Sequence, residues 1–568
     1  MSFVGWAGRL GLGLLLAMQA LPAPARSPCP TGDYPAFYPD PAPFDAALEA
    51  TAGVAPRPTP VTGLVVPHHL NAPDLIASGL RLGSGQRPRR IVLLFPDHFA
   101  ESPRPFATTT HGFRTVLGAV PTDAGAARTL LADPDLVADS CLFGSDHGAR
   151  ALLPFLARLY PGVPVLPLAI GNGSNRADWD AMARALTPLI DAETLLIQST
   201  DFSHYLPWHE ARQRDQEVLN LLAAGDLDGI ARLVQPDHVD SVGALYLTMA
   251  LERRLFGAGP QVVANRNQQQ GVDQFLSETT SYMVILYQPE GLPPVPAPLA
   301  GAHRYVLAGD WFLGRTWPGL LYDELVAGRV ERAALEATGG LPLIANLEGV
   351  LLPDLPGTLD HMTLAMPAEL VVDWARRLNV AGFGLANNHA MDIGTSGMTE
   401  TLAALDAAGI PHAAQGERLQ LPGLTLVILS DLDGAAMPPW HRLDEELLDR
   451  VLVEDASVPV LAFLHWGAEW VTEPRPREQM LTREIEARGA AALVGAHPHA
   501  ASAGPRATPG GRMLVIQSLG NFLFDQHGPG AGGLASGALA EVTAFDQGTI
   551  FLRQIPAPQL YDIARGRQ

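Results

Sequence analysis

Six apolar runs in the second half of this 568-residue chain end in the same way, and that repetition constrains the fold more than any other feature. RYVLAGD stops at Asp310, LPLIANLE at Glu348, and VAGFGLANNH at Asn388 and His389. VLAFLHWG brings His465, AALVGAHPH brings His497 and His499, and MLVIQSLGN ends at Asn521. Such β-type runs alternate with amphipathic stretches, for example 215–234 and 399–408, which predicts an α/β fold. In that class buried strands deliver the residues at their carboxyl ends to one shared edge. Asp, Glu, Asn and His gathered there make an oxygen- and nitrogen-rich pocket suited to Mn, Fe or Zn. One histidine at a strand end reads as a satisfied structural residue. Six ends in phase read as a site.

The first half shows the same habit more weakly. VTGLVVPHH ends at His68 and His69, RRIVLLFPDH at His98, and TLLIQSTDFSH at Asp201 and His204. SDHGARALLPFL sets Asp146 and His147 just ahead of an expected helix. The cluster contains no thiolate. Between the halves, QPEGLPPVPAPLAGAH (288–303) carries five prolines and reads as an extended, semi-stiff linker. The expected units are therefore 31–288, a linker over 289–303, and 304–556, and such a linker permits independent domains.

Composition removes several chemistries. Acidic residues number 59 against 38 basic ones, a formal charge of −21, which argues against nucleic-acid partners and leaves membrane contact peripheral at most. All 38 basic residues are arginine, so no Walker lysine, Schiff-base lysine or kinase-type lysine is available. At the amino terminus, Arg9, the apolar run Leu10 to Leu21 and Ala23-Pro24-Ala25 predict a cleaved export signal over 1–25. The run is short for a membrane span, which needs about 20 residues. A periplasmic or cell-envelope destination follows. Cys29 and Cys141 are the only cysteines, and one bridge and two separate thiols both remain open.

The second half resembles the CapA family, associated with capsule and poly-γ-glutamate synthesis and related to calcineurin-like metallophosphoesterases. The resemblance rests on Gly309-Asp310 with Leu313-Gly314-Arg315, Asn346-Leu347-Glu348 and Ala386-Asn387-Asn388-His389. It continues through His465-Trp466-Gly467 with Glu469, Gly495-Ala496-His497-Pro498-His499 and Ser518-Leu519-Gly520-Asn521-Phe522. It implies a four-layer α/β/β/α sandwich and a binuclear centre of divalent ions. By position, Glu348 would bridge, with Asp310 and His499 on one metal and Asn388, His465 and His497 on the other. His389 would serve the leaving oxygen, and Arg315 would meet an anionic group of the substrate. Two positions depart from the phosphoesterase pattern, Phe312 for a histidine and Glu348 for an aspartate, and both departures are shared by the CapA pattern.

The first half is similar to the Memo family, including its form in the AmmeMemoRadiSam system, built like class III extradiol dioxygenases. The matching residues are Val66-Pro67-His68, Pro96-Asp97-His98-Phe99, Asp146-His147 with Leu153-Pro154-Phe155-Leu156, and Ser199 to Tyr205 (STDFSHY). The likeness implies His68 and His98 as ligands for iron or copper, with Asp201 and His204 lining the pocket and His147 or His204 able to complete it. The family's third ligand is a cysteine ahead of a glycine; the local match here, Asp240-Ser241-Val242-Gly243, has no thiol. The expectation is thus an exported fusion whose CapA-like half performs metal-assisted hydrolysis or transfer on an envelope polymer or small anionic substrate. The alternative is a non-catalytic metal- or polymer-binding module in an envelope or AmmeMemoRadiSam-type redox system.

Overall fold

The computed structural model describes residues 29–271, 275–294, 299–432, 442–452, 458–526 and 537–567. The expected export signal lies outside these residues, as do 295–298 of the Pro-rich linker.

The first half is built on one nine-stranded sheet. Its centre is four parallel strands, Gly63–Val66, Thr194–Ser199, Arg90–Asp97 and Val165–Gly171. Their residues are almost all buried, as expected where helices cover both faces and no polar alternation is needed. On one face the helices Arg176–Leu186, Trp208–Ala224 and Val242–Phe256 bury Trp179, Met182, Leu219 and Leu245. On the other, Ala42–Ala50, Pro73–Gly83 and Leu153–Leu159 bury Phe44, Ile76 and Phe155. The parallel strands all run out at one edge, where His68, His98 and Asp201 follow within two residues.

The second half is a four-layer α/β/β/α sandwich. Its seven-stranded sheet is centred on Leu343–Leu347, Ala302–Trp311 and Ala538–Phe545, and its six-stranded sheet on Leu424–Asp431, Val460–Trp466 and Ala492–Ala496. Leu307, Ile344, Leu461, Phe463, Val494 and Val542 fill the space between the sheets. Helices Glu324–Thr338, Ala368–Arg377 and Gly394–Ala408 cover one outer face, and Glu445–Val451 and Pro476–Ala487 the other. Asp310, Glu348, His465 and His497 come at or just beyond the ends of strands from both sheets. Gly309 is required here: a Cβ would stand 1.8 Å from the carbonyl oxygen of Gly520, so any side chain would push Asp310 away from the Asn521–Leu523 strand.

The two halves share an interior, so the linker does not leave them independent. Ala302, inside the expected linker but already in strand Ala302–Trp311, joins Phe545 and Phe551 of the second half in the apolar core beneath the first-half sheet. Helix Trp208–Ala224 lies along strand Thr549–Pro556, with Gln216 accepting from the Ile550 amide at 2.9 Å and donating to its carbonyl at 2.9 Å. Asn220 donates to the Gly511 carbonyl at 2.8 Å. Buried Glu541 accepts from Arg304, from Arg553 at 2.7 and 2.9 Å, and from Gln261 of the first half at 3.3 Å. Asp215, wholly buried, accepts from Ser203 at 2.7 Å and from Gln547 across the interface at 3.1 Å. Burial pushes its carboxyl up to about 6 despite these donors.

Cys29 and Cys141 are joined in a disulfide, which settles the open pairing and ties the start of the described chain to the turn ahead of Asp146 and His147. Among the described residues, no helix is long and apolar enough to cross a membrane.

Candidate metal centres

In the second half the strand ends converge on Glu348, which is fully buried. Two sets of side chains meet there: Glu348 with His465 and His497, and Glu348 with Asp310 and His499. Within each set the ligand-type atoms lie within 4.8 Å of one another. His465 Nε2 and His499 Nε2 each stand 3.9 Å from the same oxygen, Glu348 Oε1. Among the described residues, neither Glu348 oxygen has a hydrogen-bond partner, and His497 Nδ1 is likewise buried and unpartnered. A carboxylate stripped of water without donors is costly, by several kcal/mol for a charged group. Burial, reinforced by Asp310, holds the Glu348 carboxyl well above its usual range, and burial with His497 beside it holds His465 well below. Burial brings His497 down to about 3. These are the marks of a donor set that fits cations: neutral imidazoles facing a carboxylate that has nothing else to bind.

Supporting contacts fix the set. Asp310 accepts from Asn346 Nδ2 at 2.9 Å and from the His497 amide at 3.2 Å. His499 Nδ1 donates to Asn521 Oδ1 at 2.7 Å, leaving Nε2 as its bare nitrogen. His497 and His499 both adopt positive φ, 93° and 55°, strained conformations for residues with a Cβ. Asn388 is exposed, with Oδ1 2.9 Å from His465 Nε2, so it lies at the rim of the set. His389 Nδ1 is 2.8 Å from Asp392 Oδ2, and Asp392 also accepts from the Leu364 amide at 2.6 Å. Arg315 does not stand free: it pairs with Asp525, lies 4.8 Å from the Phe312 ring centroid, and has φ 46°. Asn521 is one of the six run ends expected at the site, whereas Asn346, Asp392 and Asp525 carry no such signal, although Asn346 sits inside a quoted motif.

The first half gathers a second set. His68 Nε2 and His98 Nε2 are 3.2 Å apart, and the His98 and His147 rings stack at 4.0 Å. Asp240 Oδ2 lies 3.3 Å from His68 Nε2 and 3.9 Å from His98 Nε2, while Asp201 Oδ2 is 3.5 Å from His68 Nε2. Burial, with His98 next, keeps His68 well below its ordinary value. Burial opposes charge on His98 too, but the Asp146 carboxylate on Nδ1 outweighs it and raises that ring's pKa. Burial lowers His147 and His204 to about 4. Among the described residues, His204 has its Nδ1 buried without a partner and makes no part of the close groups around His68. Exposed Phe99 lies 6.2 Å from His147 and exposed Tyr205 lies 5.5 Å from His204.

A single-sheet α/β domain and a double-sheet sandwich, each closing a buried histidine–carboxylate pocket at its strand ends, define this as a two-domain α/β protein with a candidate metal pocket in each half. Residues 34–264 match the family described as Memo-like protein, and residues 305–425 and 445–526 match the bacterial capsule synthesis protein PGA_cap. The chain is a fusion of a Memo-like domain and a CapA-like domain, in that order. A MEMO1 family protein of Caldivirga maquilingensis is 22% identical over 40% of this chain and 83% of its own length. The PGA biosynthesis protein CapA of Bacillus subtilis is 31% identical over 26% of this chain and 44% of its own. The capsule biosynthesis protein CapA of Bacillus anthracis is 28% identical over 31% and 48%. The chain thus spans less than half the length of these two CapA proteins.

Proposed function

We propose that the CapA-like half is a hydrolase or transferase acting on a phosphate- or amide-containing polymer of the cell envelope, with divalent Mn, Fe or Zn held in pairs by the Glu348 set. The carrying observation is that both oxygens of buried Glu348 lack partners among the described residues while histidines and Asp310 surround them. Asp310 and His499 would hold one ion, His465, His497 and Asn388 the other, with Glu348 between. Bound there, such ions supply Lewis acidity toward a phosphoryl or carbonyl oxygen and toward water. His389 does the proton work: Asp392 holds Nδ1, so Nε2 is the nitrogen that can protonate the departing oxygen as its bond breaks. The cluster sits in water-poor surroundings, where electrostatic contacts are stronger than in bulk.

Export supports this setting. The N-terminal pattern of Arg9, an apolar run and Ala23-Pro24-Ala25 suits a secreted chain, and the Cys29–Cys141 bridge suits an oxidising compartment. The relatives named for capsule and PGA biosynthesis point to envelope polymer as the substrate class.

One observation favours the other reading, a binding module. Arg315, the side chain expected to meet an anion, is already neutralised by Asp525. The test uses the full chain, because the halves share a core. Metal content is measured beside a Glu348→Ala/His497→Ala variant, together with Mn-dependent hydrolysis of a chromogenic phosphodiester. About two metals per chain more than in the variant, with turnover lost in the variant, is the expected result. Equal metal content in the two chains, both correctly folded, overturns the hydrolase reading.

A further inference from the structure

The first-half cluster has a feature that hydrogen bonding alone does not satisfy. His98 Nδ1 donates to Asp146 Oδ1 at 2.9 Å, and Asp146 is held in turn by the amides of His98 and Gly148 at 2.9 and 2.8 Å. That contact leaves Nε2 as the bare nitrogen of His98. The hydroxyl of Ser199 donates its one hydrogen to the Gly148 carbonyl, so at 3.3 Å it can only accept from His68 Nδ1. His68 therefore also turns a bare Nε2 inward. The two lone pairs face each other at 3.2 Å.

Asp240 closes the figure. It precedes helix Val242–Phe256, whose N-cap is Ser241, so its backbone is fixed by the start of that helix. Its Oδ1 accepts from the Thr200 hydroxyl at 2.7 Å, and its Oδ2 accepts from the Asp201 amide at 3.0 Å. Those bonds aim Oδ2 at the histidine pair. The resulting triangle, His68 Nε2, His98 Nε2 and Asp240 Oδ2, has edges of 3.2, 3.3 and 3.9 Å. Three atoms on one face of an ion with bonds of about 2.0–2.2 Å span edges of this size. A single proton could relieve only one edge; a divalent ion collects all three.

We propose that His68, His98 and Asp240 form a two-histidine, one-carboxylate site for a divalent first-row ion of the Fe(II) type, with Asp146 and Ser199 as positioning residues that set the ring tautomers. Nitrogen and hard oxygen donors with no sulfur disfavour Cu(I), which selects soft thiolate or thioether ligands. His147, stacked on His98, and Asp201 border the remaining coordination positions. The second-half centre plays no part in this site.

The test substitutes Co(II) as a spectroscopic probe in the full chain. Asp240→Cys should develop a thiolate-to-cobalt charge-transfer band that is absent from the wild type and from the neighbouring control Ser241→Cys. Asp240→Asn should bind one cobalt fewer per chain than the wild type, its affinity at that site falling at least about 10- to 100-fold, the loss that outer-shell partners alone produce. In anaerobic competition, the wild type should take Fe(II) in preference to Cu(I), and Asp240→Cys should reverse the order. Circular dichroism confirms that each variant is folded. A folded Asp240→Cys without the band, or a folded Asp240→Asn with wild-type cobalt content, overturns the proposal. So does an equal band in Ser241→Cys.

Discussion

Arg304 and Glu541 form an ion pair with both side chains nearly out of water, 3% and 2% exposed. Glu541 also answers Arg553, while Arg57 reaches the same region from the first half through Gln261. Burial lowers Arg304 to about 9 and Arg57 and Arg553 to about 10, each feeling a neighbouring guanidinium or the loss of water. One carboxylate thus balances a cluster of arginines at the joint between the domains. Glu541→Ala should cost about 3–5 kcal/mol, the penalty for leaving buried charge uncompensated. Denaturant unfolding read by tryptophan fluorescence checks it.

On the proposed hydrolase reading, His389 would carry the chemistry and Asp392, 2.8 Å from its Nδ1, the orientation. His389→Ala should lower kcat about 10²- to 10⁴-fold, the range for a positioned acid, with KM little changed. Asp392→Asn should give a smaller fall and a displaced pH–rate profile, since it alters only what holds Nδ1. Steady-state kinetics against pH distinguishes the two.

Glu252 predicts a pH dependence unrelated to either centre. It is fully buried beside strand Gly63–Val66, and among the described residues its one hydrogen bond comes from Thr62 at 2.5 Å. Burial raises its carboxyl to about 8 from an ordinary 4.5. A carboxyl raised on folding contributes its stability below its unfolded pKa and loses it as pH climbs through the folded one. Stability should therefore fall between pH 4.5 and 8 by up to about 5 kcal/mol. Glu252→Gln should flatten that slope, as measured by urea midpoints across the pH range.

The disulfide closes a loop across a sequence separation of 112. Replacing both cysteines by serine should cost about 2–5 kcal/mol, and reduction of the wild type should have the same effect. Unfolding curves with and without reductant provide the comparison.

Much of both centres was legible because parallel strands put side chains at predictable places. Asp310, Glu348, His465 and His497 each follow an apolar run, and in a buried parallel sheet the end of such a run is also the edge of the sheet. Asp240 gave no such sign. It follows no strand, and in the sequence it stands only within a segment lacking a thiol; its Oδ2 reaches the histidines because Ser241 caps a helix whose start fixes the turn. Asp146 was visible as a helix-start residue, but its role on His98 depends on a contact across 48 positions. The joint between the halves left no mark in the sequence either. Its polar members, Gln216, Asn220, Gln261 and Gln547, are scattered residues of types that ordinarily face solvent, and only the folded chain shows them paired. The proline-rich stretch suggested freedom, yet the interface on either side of it is closed.

Phe545 and Phe551, counted by position with the second half, complete the core of the first. Neither domain can then be dropped by a truncating mutation, or borrowed alone by another gene, without baring aromatic surface that invites aggregation and proteolysis. The two pockets thus stand on common footing: a change that loosens these rings reaches the scaffold of both.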